Sequence, residues 1–367
     1  MERRNRIRAK MGGTWIAYSP RGSGLFGGLS MKFGRFLARA LAIVIVACGL
    51  CFSGCKEDVP EGETTVYMPD GAPALALAGV MKDDTESDGV TYRVVAPALI
   101  KTKITYSDMD ENADFCVLPV TAACKLVGAG TEYKMLGALT QGNLYLISKT
   151  AKEYTQENLS DLIGKTVGVL QINEVPGLTL KATLSKHGLP YAELVDGASA
   201  QADKVNLKGV ADATAIDGSL DCYLLAEPAV SVQVNKNGYT IVGDLQALYS
   251  SAEIGYPQAV LVAKTSILQE KAEWTKAFLE KISAAGEWLK SASGEEIVHT
   301  VTAHLEDENY ATSLKAPLLT ADVLARCGVR FSYARDCRAD VDSFMSALKS
   351  VNANAAVVPN ADFYWTE

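Results

Sequence analysis

The chain has 367 residues, 48% hydrophobic and 21% charged, with a formal net charge of −8. That length supports more than one domain, and the acid excess speaks against a nucleic-acid partner, whose phosphates it would repel. Its eight cysteines are too few for a disulfide-dense scaffold.

Residues 1–30 carry Arg3, Arg4, Arg6, Arg8, Lys10 and Arg21 against Glu2 alone. A basic run of this kind can bind nucleic acid, but here it lies upstream of a different signal. Met31-Lys32-Phe33-Gly34-Arg35 is a short positive segment, and Leu37 to Cys55 is an almost uninterrupted apolar run followed by the acidic Lys56 to Glu63. This is the layout of a bacterial export signal. We therefore expect residues 1–30 to be an upstream leader and 31–54 a signal peptide. The basic residues of 1–54 outnumber Glu2 by eight, so cleavage doubles the negative charge of the remainder. Phe52-Ser53-Gly54-Cys55 resembles the lipobox of bacterial lipoproteins, in which the cysteine is lipidated and becomes the first mature residue. The departure from that pattern is Phe52, where leucine is usual. Cys48 is an alternative cleavage point, and an uncleaved anchor is another. The uncharged run from Ala40 to Gly54 is shorter than the roughly 20 residues a spanning helix needs. Residues 55–64 then form a tether.

Past the tether, four short apolar runs each lead through a tight loop into a helical pattern. Thr65 to Met68 passes through Pro69-Asp70-Gly71 into a helix over 72–81 that is apolar at nearly every position, as a helix buried on several sides would be. Asp114 to Leu118 leads through Pro119-Val120-Thr121 into 122–127. Thr166 to Leu170 leads through Asn173-Glu174-Val175-Pro176-Gly177 into 178–187, and Asp221 to Leu225 through Ala226-Glu227-Pro228 into 229–234. Strands alternating with helices indicate α/β architecture with parallel sheets covered on both faces. In such sheets ligands bind beyond the carboxyl ends of the strands, at helix amino termini. These four loops are the expected binding surface.

Asn143 to Ser148 and Gln258 to Ala263 are apolar runs long enough to cross between domains, and they bracket about one hundred residues. We expect one lobe from 65–148 with 256–367 and a second, inserted lobe over 149–255. A helix start is expected at Thr155, with Glu157 or Asn158 answering. Ser266 to Lys290 has the spacing of one long amphipathic helix. Helices over 294–304, 320–327 and 336–351 follow, with no evident chemistry.

Asp70 and Gly71 are candidate ligand contacts at the first loop, and Thr121 with its neighbouring N–H groups at the second. Gln141 and Asn143 stand where the first crossing run begins. Glu174 and Glu227 open second-lobe helices, where the dipole favours a carboxylate in any case. Tyr256 precedes the return run and is a candidate aromatic platform. Each has an ordinary structural alternative as a turn, hinge or packing residue. His187, His299 and His304 fall on helices away from the loops. Cys116, Cys124, Cys222, Cys327 and Cys337 remain beyond Cys55, with Cys327 and Cys337 close enough to bridge a loop or to remain free.

The stretch Asn158-Leu159-Ser160-Asp161-Leu162-Ile163-Gly164-Lys165-Thr166-Val167-Gly168-Val169 resembles the opening of the second lobe in substrate-binding proteins of ABC importers, in the group serving nitrate, sulfonate, taurine and thiamine-pyrimidine uptake. Thr65 to Ala78 and Leu225-Ala226-Glu227-Pro228 are similar to that group's first unit and to one of its proline-containing loops. The resemblance implies a two-lobed type 2 periplasmic-binding-protein fold with two parallel-rich sheets joined by two crossing hinge strands. It also implies an extracytoplasmic, lipid-anchored monomer that captures a small-molecule solute and delivers it to an ABC permease and ATPase, without cofactor, metal or catalysis. Two other functions fit the same fold: an enzyme similar to those of the menaquinone pathway or to a pyrimidine synthase, and a sensory lipoprotein. No carboxylate pair of evident spacing and no loop histidine points to the enzyme.

Overall fold

The structure is a computed structural model that describes residues 64–83, 89–130, 132–195, 197–211, 215–250 and 256–366. The leader, the export signal, Cys55 and most of the tether lie outside the described residues. Thr64, placed in the tether from sequence, is already strand and pairs with Val90.

Two mixed sheets organise the chain. The first contains β1 (Thr64–Pro69), β2 (Val90–Val95), β3 (Phe115–Pro119), β4 (Tyr133–Gln141), β11 (Pro257–Lys264) and β12 (Val329–Tyr333), in the order β12-β4-β11-β3-β1-β2. The second contains β5 (Leu144–Ser148), β6 (Thr166–Leu170), β7 (Tyr191–Leu194), β8 (Val205–Val210), β9 (Cys222–Ala226) and β10 (Thr240–Asp244), in the order β10-β5-β9-β6-β8-β7. Parallel pairing is confined to one side of each sheet, β2-β1-β3 and β7-β8-β6-β9. The strands that carry the chain between sheets, and their neighbours, pair antiparallel.

Register fixes which edges meet. Ala259 of β11 pairs with Pro119 at the end of β3, and Pro257 pairs with Gln141 at the end of β4. The carboxyl ends of β1, β2, β3 and β4 therefore share one edge with the start of β11. In the second sheet Leu144 of β5 pairs with Ala226 at the end of β9, which puts the start of β5 at the carboxyl edge of β6 and β9. Gly142 and Asn143 make up the whole of the first passage between the two edges, and the chain returns between β10 and β11. The run expected to cross from 143 to 148 is a strand, but it lies wholly in the second sheet, so the passage falls before the boundary read from sequence. The backbone gives the reason: Gly142 (φ 70°) and Asn143 (φ 128°) leave the extended region and end β4.

The helices follow from burial. α1 (Ala72–Met81) is apolar throughout because it is enclosed by the first sheet and by α7 (Ala272–Leu289). A Cβ on its Gly79 would come within 2.5 Å of the Ala285 carbonyl oxygen. The helix expected over 266–290 is two, α6 (Thr265–Glu270) and α7, parted at Lys271, whose Nζ donates to Thr64 Oγ1 at 3.1 Å. The helix expected at Thr155 is a single 3-10 turn, Leu159–Leu162, because the Asn158 side chain accepts from the Thr155 N–H and donates to the Glu153 carbonyl, closing a loop instead. Further elements are α2 (Val120–Gly128), α3 (Val175–Lys186), α4 (Ala229–Asn237), α5 (Leu245–Tyr249), α8 (Gly294–Ala303), α9 (Ala321–Arg326) and α10 (Ala334–Val351).

α10 lies against the first sheet and α3, and an apolar cluster runs through it from Leu118 and Val260 to Val169 and Leu224 of the second sheet. Cys327 and Cys337 are both buried free thiols, so the bridge held open from sequence is not formed. Among the described residues no helix is long and apolar enough to cross a membrane.

Candidate functional site

The facing sheet edges bring together the loops after β1, β3, β6 and β9 with the two passages between sheets. Asp70, directly after β1, is only 5% exposed. Its carboxylate accepts from Thr312 Oγ1 at 2.6 Å, the Ser313 N–H at 2.7 Å and Tyr310 Oη at 3.3 Å. Burial, with the neighbouring carboxylate adding to it, pushes the Tyr310 phenol up to about 12, so it stays a neutral donor. Gly71 caps α1 at φ 101°, a conformation costly for a side-chain-bearing residue, and lets the chain turn from β1 into the helix. A depression of about 540 Å³ opens beside Tyr310 and Thr312, but all its lining residues come from 298–317. It is not a space between the sheets.

Thr121 sits in the first turn of α2, and its buried hydroxyl has no hydrogen-bond partner. The same holds for Oδ1 of the buried Asn143. Gln258 Oε1, between the register points that tie β11 to β3 and β4, is a third unpartnered buried oxygen. Gln141 is buried, with its N–H donated to the Gly328 carbonyl. A buried polar atom without a partner is costly and rare, and here three fall at one sheet edge. The non-glycine residues with positive φ among the described ones are Asn143 and Gln171 (φ 58°), one at the passage between sheets and the other just after β6. Strained backbone of this kind concentrates at functional sites.

On the second sheet, the loop after β6 is clamped to α3. A Cβ on Gly177 would lie 2.0 Å from the Ile172 carbonyl oxygen, which itself accepts from the buried Lys181 Nζ at 3.1 Å. Lys181 is also paired with Glu193 at 2.8 Å. At the end of this loop Glu174 caps α3 without a side-chain bond to it, reaching instead across to Lys101 of the first lobe at 3.1 Å.

Glu227, after β9, has a fully buried carboxylate that faces inward. It accepts from the Ser231 hydroxyl at 2.9 Å and N–H at 3.0 Å, and from Arg326 Nε at 2.8 Å. Arg326 also donates to Ser231 Oγ at 3.1 Å, and its carbonyl accepts from Tyr145 Oη at 3.3 Å. Burial raises the Tyr145 phenol, keeping it a donor. Arg326 ends α9, one of the helices from which sequence promised no chemistry. Among the described residues, two ion pairs join the lobes, Lys101–Glu174 and Arg326–Glu227.

Tyr256 departs from its expected role. It is 1% exposed, stacked on Phe344 of α10 at 4.9 Å with Tyr249 edge-on at 5.5 Å, and its hydroxyl donates to Gln246 Oε1 at 3.1 Å. Both its ring and its hydroxyl are committed to the packing behind the passage, which leaves no face for a ligand. His187 and His304 hydrogen-bond to backbone carbonyls of Leu248 and Thr300 at the ends of their helices. Among the described residues no group of three His, Cys, Asp or Glu side chains could hold a metal.

A family model described as NMT1/THI5 like matches residues 89–293, more than half of the chain. This chain belongs to the NMT1/THI5-like family. Solved structures share its fold. An ABC transporter from Parabacteroides distasonis aligns over 84% of this chain and 100% of its own at 19% identity and TM-score 0.65. The periplasmic aliphatic sulphonate binding protein SsuA from Escherichia coli covers 84% of this chain and 92% of its own, at 15% identity and TM-score 0.59. The alkanesulfonate-binding protein SsuA from Xanthomonas axonopodis pv. citri, bound to MOPS, covers 83% and 98%, at 14% identity and TM-score 0.56. No curated protein sequence matches the chain. The family match takes in Lys101, Thr121, Asn143, Glu174, Glu227 and Gln258, while Asp70 and Arg326 lie outside it.

Proposed function

We propose that this NMT1/THI5-like protein is a lipid-anchored extracytoplasmic solute receptor, which holds a small molecule between its two lobes and delivers it to an ABC permease and ATPase. The observation that carries the reading is the meeting of two carboxyl sheet edges across a two-residue link, with three unpartnered buried oxygens at the first of them. Such edges are where open α/β sheets take ligands, and a hinge between two lobes is the usual way to enclose one. The likeness in fold to binding proteins of ABC transporters supports the role.

In this reading the mature protein begins at Cys55 with the acyl chains on that residue, and the acidic segment to Thr64 is its tether. A single acyl chain holds a protein to a membrane only marginally, so the multiply acylated form is the one expected. The receptor acts as a monomer and performs no catalysis. Two measurements test this. Native mass spectrometry of the purified protein should show a non-covalent small-molecule adduct that is lost on unfolding. In fractionated cells, wild-type protein should sediment with membranes and the Cys55→Ala variant should not. Retention of that variant on membranes removes the anchor from the reading.

A further inference from the structure

We propose that the solute is an uncharged polar molecule bearing both hydrogen-bond donors and acceptors, and not an oxyanion. The proposal rests on the solute-receptor reading and adds the ligand's class.

The first support is charge. Among the described residues, the two cations that follow β2 are both paired, Lys101 with Glu174 across the lobes and Lys103 with Glu306. Three further cations that reach this region are also engaged: Lys181 by the Ile172 carbonyl and Glu193, Lys315 by the Thr312 carbonyl, and Arg326 by the buried Glu227 and Ser231. An anionic solute would find no unengaged positive side chain, and it would meet the Asp70 carboxylate beside α1. A cationic solute fares no better. Asp70 has three donors on its oxygens, and Glu174 and Glu227 have partners of their own.

The second support is the set of groups left unmatched. The hydroxyl of Thr121 and the amide oxygens of Asn143 and Gln258 are buried and unpartnered, and all belong to uncharged side chains. The amide oxygens can only accept, so they ask for N–H or O–H groups on the solute. α1 and α3 begin without a side-chain cap, leaving backbone N–H groups to meet carbonyl-type acceptors. A site built from neutral acceptors and backbone donors discriminates strongly, because a molecule that lacks the matching groups leaves buried atoms unpaired.

The test titrates the purified protein calorimetrically with two probe sets. Cytosine, uracil, glucose and myo-inositol are uncharged; ethanesulfonate, taurine, nitrate and sulfate carry an oxyanion. At least one uncharged probe should bind more tightly than every oxyanion. Thr121→Val should weaken it by about tenfold, the worth of one hydrogen bond of ~1.4 kcal/mol, without lowering the Tm of the ligand-free protein, since the change removes an unpaired buried hydroxyl. Gln258→Leu should behave alike and serves if Thr121→Val does not fold. Tightest binding by an oxyanion overturns the proposal and leaves the receptor reading intact. Binding of an uncharged probe that neither variant weakens also overturns it. Silence from both sets counts against the receptor reading, and this proposal falls with it.

Discussion

The fully buried Glu227 carboxylate has three donors converging on it, two from Ser231 in its own helical turn and one from Arg326 in the other lobe. Removing one partner of a buried pair strands the other and costs about 3–5 kcal/mol, whereas replacing both by apolar groups is often neutral. The Arg326 side chain is 31% exposed, so solvent recovers part of that loss. Arg326→Met should therefore destabilise by about 2–3 kcal/mol in urea unfolding, and Glu227→Gln with Arg326→Met should recover part of it. A double-mutant cycle with no coupling between the two sites would show that the ion pair does not join the lobes energetically. From sequence, Glu227 stood out by its place after an apolar strand and before Pro228. Arg326 gave no such signal, because it closes a short helix about one hundred positions away and only the fold brings it alongside.

Among the elements, the strand–loop–helix units were legible because each strand is a compact apolar run and each loop carries proline or glycine. β7 and β12 were not. Their residues are half-buried or exposed at sheet edges, so they lack both the continuous and the alternating pattern. The clamp on the loop after β6 was equally hidden: Gly177 read as part of a turn, while its real constraint is the Ile172 carbonyl that leaves no room for a Cβ. Two glycine substitutions in helices should consequently differ in sign. Gly177→Ala must push the loop off α3 and should cost about 1–3 kcal/mol, as overpacking does. Gly286→Ala, in α7 with nothing within 4 Å of the added methyl, should stabilise by about 0.5–1 kcal/mol through the gain in helix propensity. Urea midpoints measure both. Destabilisation by Gly286→Ala would mean that α7 packs more tightly on that side than the structure shows.

At the scale of the whole molecule, the question is whether two sheets joined by two chain passages unfold as one body. α10 decides it. Its Phe344, 2% exposed, stacks on Tyr256 from the return passage and meets Tyr249 from the second sheet's side at 5.7 Å, within the apolar cluster shared by both sheets. Sequence showed α10 as an amphipathic helix and Tyr256 as a ligand platform; the same apolar character served a different neighbour, which periodicity cannot identify. Phe344→Ala should cost about 3–5 kcal/mol, as large-to-small changes of buried aromatics do. It should also split the single calorimetric transition expected of the wild type into two, because it empties the contact the sheets share. Phe115→Ala supplies the comparison. Phe115 is equally buried, but it packs against Trp274 and Phe278 within the other cluster, which draws on the first sheet alone. A similar loss of stability there should move the transition without dividing it. If both variants unfold in one step, the coupling between lobes lies in the Lys101–Glu174 and Arg326–Glu227 pairs instead of in α10.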